Sequence, residues 1–131
     1  SKTLVFGGQT GSNRLLKTLH RGHSREQVFS AIDLAIQNGF QVAVDFIFGL
    51  PGENEDDEKE TAQFMKKLIM RGAKIHAHSF LPLPGTHFHD AQPAIISPFL
   101  RHFLGKIARD GFLFGQWQTQ EILAHTIKKD Y

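Results

Sequence analysis

The chain is 131 residues long, 40% hydrophobic and 21% charged, with a formal net charge of +2. One domain with a real core fits in that length and two do not; no apolar run nears the ~20 residues of a membrane span, and the dispersed charge lacks the basic stripe of a nucleic-acid reader. The absence of cysteine excludes disulfides and thiolate metal sites within these residues, and no charged and apolar leader opens the chain, so the expectation is a cytoplasmic protein.

Residues 3–8, TLVFGG, predict a short buried strand stopped by a glycine pair. A helix follows from a cap at Ser12, with Leu15, Leu16 and Leu19 on one face and Gly22 at its end. Ser24 and Gln27 have the spacing of a capping box ahead of the stripe Val28, Ile32, Ala35 and Ile36, and Asn38-Gly39 supplies a left-handed stop, which predicts a second helix. Residues 41–48 read as a strand whose near-continuous apolarity fits a parallel sheet covered on both faces. Residues 53–72 predict a third helix, with acids crowding its first turns and Lys66, Lys67 and Arg71 its last. Those acids read as solvated charge that compensates the helix dipole. KIHAHSFLPLPG, residues 74–85, predicts a strand stopped by Pro82 and Pro84. Ser97-Pro98 opens a further helix, and an amphipathic segment over about 118–129 closes the chain. The twelve phenylalanines read as core filling.

Strands alternating with helices of this length imply right-handed crossovers and a parallel sheet, an α/β fold of βα repeats. Ligands in such folds sit beyond the carboxyl ends of the strands. Here those ends carry Gly7-Gly8-Gln9, Gly49-Leu50-Pro51-Gly52 and Leu81-Pro82-Leu83-Pro84-Gly85. By the strand period of two, Asp45, Ile47 and Gly49 share one face, while Val44, Phe46 and Phe48 share the other. A buried carboxylate needs a donor. The adjacent hydroxyls of a ribose would serve, and so would a neighbouring lysine or backbone amide. Gln9, at a strand exit, can donate and accept; Arg21, at the far end of the following helix, carries a fork shaped for a carboxylate. With Asp45 they could hold a ligand that has both a ribose and an amino-acid carboxylate. Taken singly, Arg21 is an ordinary basic residue near a helix end.

Three motifs then stand in order across about fifty residues: Gln9, Gly11 and Ser12; Arg21, Gly22, His23 and Ser24; and Asp45, Ile47, Gly49, Pro51, Gly52 and Glu53. This pattern resembles the second half of the radical S-adenosylmethionine (radical SAM) core, of the type found in methylthiotransferases and in relatives with a cobalamin-binding domain. The resemblance implies a partial, half TIM-like barrel over residues 1–86, with 87–131 as a helical extension. It implies that Gln9 and Asp45 bind the ribose of S-adenosylmethionine and that Arg21 faces its methionyl carboxylate. Ile47 would lie against adenine where Gly49 clears space, and Ser12 is a further ligand candidate. In the intact enzyme a [4Fe-4S] cluster would generate a 5′-deoxyadenosyl radical.

The family holds that cluster through C-x-x-x-C-x-x-C, and this chain has no cysteine. The expectation is therefore a fragment, inactive alone, whose partner is the missing amino-terminal half of the barrel and whose open sheet edge promotes self-association. A cluster-free relative and a nucleoside-binding βα domain without redox chemistry are the alternatives. His76 and His78 share a strand face and His87-x-His89 follows in the loop, so a metal is conceivable. No carboxylate stands at a supporting spacing, and these histidines read as surface or substrate-side groups rather than ligands.

Overall fold

The computed structural model describes residues 2–18, 22–81 and 93–130. Its elements run β1 (Thr3–Gln9), α1 (Asn13–Thr18), α2 (Arg25–Gln37), β2 (Gln41–Phe48), α3 (Glu55–Met70), β3 (Lys74–Ser79), α4 (Pro98–Arg109), β4 (Leu113–Phe114) and α5 (Trp117–Asp130). The four strands form one sheet in the order β1-β2-β3-β4, and every neighbouring pair is parallel. The result is an α/β fold of βα repeats, consistent with part of a TIM-like barrel. The short β4 is a difference from the sequence reading, which treated residues 87–131 as helical. A pair of residues is too short to give a strand period, and β4 exists because Leu113 and Phe114 find the free edge of β3 beside Ile75 and His76.

The helix ends follow their local chemistry. Ser24 caps α2 and exchanges bonds with Gln27 in a full capping box, and Gly39 takes φ +86° just beyond the helix. Asn54 and Asp57 form the same reciprocal box at the start of α3. Ser97 caps α4, with Pro98 in the first helical position.

Strand alternation sets the core. Val44, Phe46, Phe48, Ile75 and Ala77 are wholly buried against α3 and α4 residues such as Phe64, Met65, Leu68, Leu100 and Leu104. Each such large side chain contributes roughly 1.5–3 kcal/mol by leaving water. A smaller cluster of Leu15, Leu50 and Phe80, with Ile47 against it, ties α1 to the segments that follow β2 and β3. The phenylalanines divide: Phe46, Phe48 and Phe64 fill the core, whereas Phe99, Phe112 and Phe114 are exposed. No helix among the described residues is long and apolar enough to cross a membrane.

Candidate functional site

The opposite face of the sheet carries Val5, 63% exposed, with Asp45, Ile47, His76, His78 and Phe114, none of them fully buried. On this face the parallel register sets Asp45 beside His76 and Ile47 beside His78. On the other side of β2, Gly7 pairs with Asp45 and Gln9 with Phe46 across a register irregularity. Gln9 and Asp45, far apart in sequence, therefore occupy neighbouring positions on adjoining strands.

Gln9 is the one non-glycine among the described residues with positive φ, at +67°. The amide of Thr10 donates to the carbonyl of Gly8 at 2.8 Å, closing a tight three-residue turn around it. A glutamine there is strained by roughly 1–2 kcal/mol, and its side chain has no hydrogen-bond partner among the described residues. Gly8 makes the turn possible in another way, since a Cβ on it would stand 2.9 Å from Val44 Cγ1.

Asp45 is not waiting for a lysine or an amide. Its Oδ1 lies 2.8 Å from His76 Nδ1 and 3.7 Å from His78 Nε2. The two rings meet edge to face with centroids 4.2 Å apart, and Phe114 stacks on His76 at 4.5 Å and 10°. The carboxylate that the sequence does not place beside these histidines comes from the neighbouring strand. His87 and His89 lie outside the described residues.

Gly49 closes β2 at φ +73°, a conformation that favours glycine, and a Cβ on it would meet Ala94 O at 3.0 Å. The room it clears in this chain is for the backbone of residue 94, whose amide donates to Gly49 O at 2.9 Å. Its own amide donates to Glu53 Oε1 at 2.8 Å. Glu53 Oε2 is buried without a hydrogen-bond partner among the described residues. Burial pushes the Glu53 carboxyl up from 4.5 to about 7, the Gly49 amide pulls the other way, and Glu58 and Asp57 add repulsion.

Ser12 turns to α3. It is fully buried, donates to Asp57 Oδ1 at 2.7 Å and accepts from the Leu15 amide at 3.3 Å. Asp57 also accepts from Arg14 Nε at 3.2 Å, from Arg14 Nη2 and from the Asn54 amide at 2.9 Å. Burial raises the Asp57 pKa, but Arg14, Ser12 and Asn54 outweigh it and leave the carboxyl below its ordinary 3.8. Arg14 reaches on to Gly52 O at 2.7 Å. The acids read as solvated dipole compensation thus include two buried residues, Asp57 and Glu58, the latter accepting from the Ser97 amide at 3.0 Å.

Comparison with known proteins follows the same residues. The model of the Radical SAM superfamily matches residues 2–65. The chain belongs to the radical SAM superfamily. It is 36% identical to an uncharacterized protein of Methanocaldococcus jannaschii over 95 residues, which are 72% of this chain and 19% of that protein. It is 35% identical to a tRNA-2-methylthio-N(6)-dimethylallyladenosine synthase of Wolbachia pipientis over 80 residues, 60% of this chain and 18% of the relative. A threonylcarbamoyladenosine tRNA methylthiotransferase of Aquifex aeolicus is 33% identical over 76 residues, 56% and 18% of the two chains. The chain thus spans under a fifth of the length of these relatives.

The radical SAM match takes in Gln9, Ser12, Asp45, Ile47 and Gly49 and ends before His76, His78 and Phe114. Arg21 falls within it but lies outside the described residues. Of the expected ligand positions, the fold sets Gln9 and Asp45 one register position apart on adjoining strands, leaves Ile47 half-buried beside Leu15, Leu50 and Phe80, and turns Ser12 to the Arg14–Asp57 network. Sequence reasoning missed Arg14 and Asp57 as a pair. The capping spacing of Asn54 and Asp57 was visible; a partner 43 residues away was not.

Proposed function

We propose that this chain forms the part of a radical SAM barrel that cradles the nucleoside of S-adenosylmethionine, with the rest of the barrel supplied by other parts of a longer polypeptide. The observation that carries this reading is the register that sets Gln9 opposite Phe46, one position beyond Asp45, on the paired strands β1 and β2. Asp45 makes its contacts through Oδ1, so Oδ2 remains for a ribose hydroxyl. The unpartnered Gln9 amide can donate to and accept from the same sugar. Holding such a residue at positive φ stores strain of the kind that collects at ligand sites.

The residues present fit the nucleoside and not the cluster. Asp45 and Gln9 would grip the ribose, Ile47 and the backbone from Gly49 would border the base, and Arg21 would face the methionyl carboxylate. With no cysteine in the chain, the [4Fe-4S] cluster must take its thiolates from elsewhere in the polypeptide. Bound S-adenosylmethionine supplies radical chemistry in this family; these residues bind, orient and keep water from it. Amide-resolved NMR titration of the chain with S-adenosylmethionine tests the proposal. Shifts should centre on Gln9, Asp45, Ile47 and Gly49, and Asp45→Asn should weaken the interaction about tenfold, ~1.4 kcal/mol. Shifts elsewhere, or an unchanged affinity in Asp45→Asn, would refute it.

A further inference from the structure

We propose that Asp45, His76 and His78 form a site for a divalent first-row transition ion of the zinc class on the uncovered face of the sheet. Asp45, His76 and His78 each offer one donor atom, a carboxylate oxygen or a ring nitrogen, and these three atoms lie within 4.8 Å of one another. Zinc binds imidazole nitrogen and carboxylate oxygen at about 2.0–2.2 Å, which sets tetrahedral ligand atoms about 3.3 Å apart. The observed separations from Oδ1, 2.8 Å and 3.7 Å, straddle that value, and the third is bounded at 4.8 Å, so side-chain rotations without a backbone shift bring the three donors around one ion.

The support is rigid. Asp45 and His76 are register partners in the middle of paired parallel strands, and His78 stands two residues further along β3 on the same face. Phe114, from β4, stacks on the His76 ring and fixes its plane. Side-chain exposures of 30%, 33% and 31% for Asp45, His76 and His78 leave an ion a route in. Two imidazoles and a carboxylate suit zinc, iron and nickel better than magnesium or calcium, which prefer oxygen donors. Three protein ligands leave a coordination position for water or for an atom of a bound molecule. The site shares Asp45 with the nucleoside reading but does not rest on it, because the ion engages Oδ1 with two histidines outside the matched family region.

The test uses the tag-free chain, titrated with zinc chloride by calorimetry and with cobalt chloride by visible absorption, in the absence of any nucleoside. One ion should bind per chain with a dissociation constant of about 10 µM or tighter, and cobalt should develop the intense visible bands of a low-coordinate site. His78→Ala and Asp45→Asn, each checked for unchanged far-UV circular dichroism, should lose more than the ~10–100-fold typical of a supporting residue. Paramagnetic cobalt should also broaden the amide signals of residues 45, 76 and 78 first in the unmodified protein, which needs no variant to fold. No binding at about 100 µM metal, retained affinity in both variants, or broadening centred on other histidines would overturn the site. Each of these outcomes leaves the nucleoside titration standing on its own result.

Discussion

Replacing Glu53 by glutamine should change how the protein's stability depends on pH. In the folded chain this carboxyl titrates at about 7 against an ordinary 4.5, chiefly because it is buried. A raised acid pKa means that the folded state holds its proton more tightly than the unfolded state does. The favourable contribution is therefore complete below pH 4.5, declines as pH rises, and is lost once pH passes about 7. A shift from 4.5 to about 7 corresponds, at 1.36 kcal/mol per unit, to roughly 3 kcal/mol. Glutamine keeps an acceptor for the Gly49 amide, now held at 2.8 Å by Oε1, but cannot ionise. Whatever constant offset the buried amide introduces, the stability difference between Glu53→Gln and the parent should move by roughly 3 kcal/mol in favour of glutamine across that window. Urea unfolding followed through the single tryptophan, Trp117, which is 6% exposed, reads the difference. Every other ionisable group is common to the two proteins and cancels in the comparison. The opposite effect at Asp57, whose pKa lies below 3.8, is fully present above that value and is lost only at lower pH. Parallel pH profiles for the two proteins would refute the assignment.

Asp57→Ala removes the acceptor shared by Ser12, Arg14 and the Asn54 amide; with Arg14 free to rehydrate, a loss of about 2–4 kcal/mol is expected in urea unfolding, and a change under ~0.5 kcal/mol would contradict the network. Gly11→Ala sets a Cβ 2.7 Å from Thr61 Cα and 2.9 Å from Phe64 Cβ, so it should cost about 1–3 kcal/mol by the same measurement, and a neutral result would mean that α1 and α3 part easily. Gln9→Gly relieves the positive φ and should gain about 0.5 kcal/mol after the greater freedom of unfolded glycine is counted; it should also weaken nucleoside binding by NMR titration, and unaltered binding would remove Gln9 from the site. The bare sheet face, with Val5 63% exposed, should drive self-association of the isolated chain, and sedimentation showing only monomer at micromolar concentration would count against it.

Where local chemistry decides, the sequence was enough. Ser24 with Gln27, Asn38 with Gly39, and Ser97 with Pro98 specify helix ends through contacts within four residues, and the apolar run from Val42 to Phe48 specifies a central parallel strand. Gln9 and Asp45 were legible as candidates because a polar residue at a strand exit and an acid inside an apolar strand each conflict with their surroundings. What failed was everything that needed register. Whether Asp45 meets His76, as it does, or a residue one place along reverses which face it sees, and no property of either strand alone carries that information. Phe114 illustrates the same limit: counted as core filling, it lies at the edge of the sheet against His76 because β4 pairs where it does.

The Asp45–His76 contact also bears on how any ligand would bind. An isolated carboxylate on a closed barrel wall would cost several kcal/mol, so the fold provides an internal partner, 2.8 Å away. A ligand that arrives at Asp45 therefore does not meet a bare charge. A ribose hydroxyl that takes Oδ2 leaves the histidine contact in place and adds a bond, whereas an ion at Oδ1 replaces it with two metal–nitrogen bonds. The first mode gains little selectivity from Asp45 alone and depends on Gln9 to distinguish a sugar from water. The second depends on the two histidines and is indifferent to Gln9. Because the two modes draw on different neighbours of one carboxylate, substitutions at Gln9 and at His78 separate them, and Asp45 is the point at which they meet.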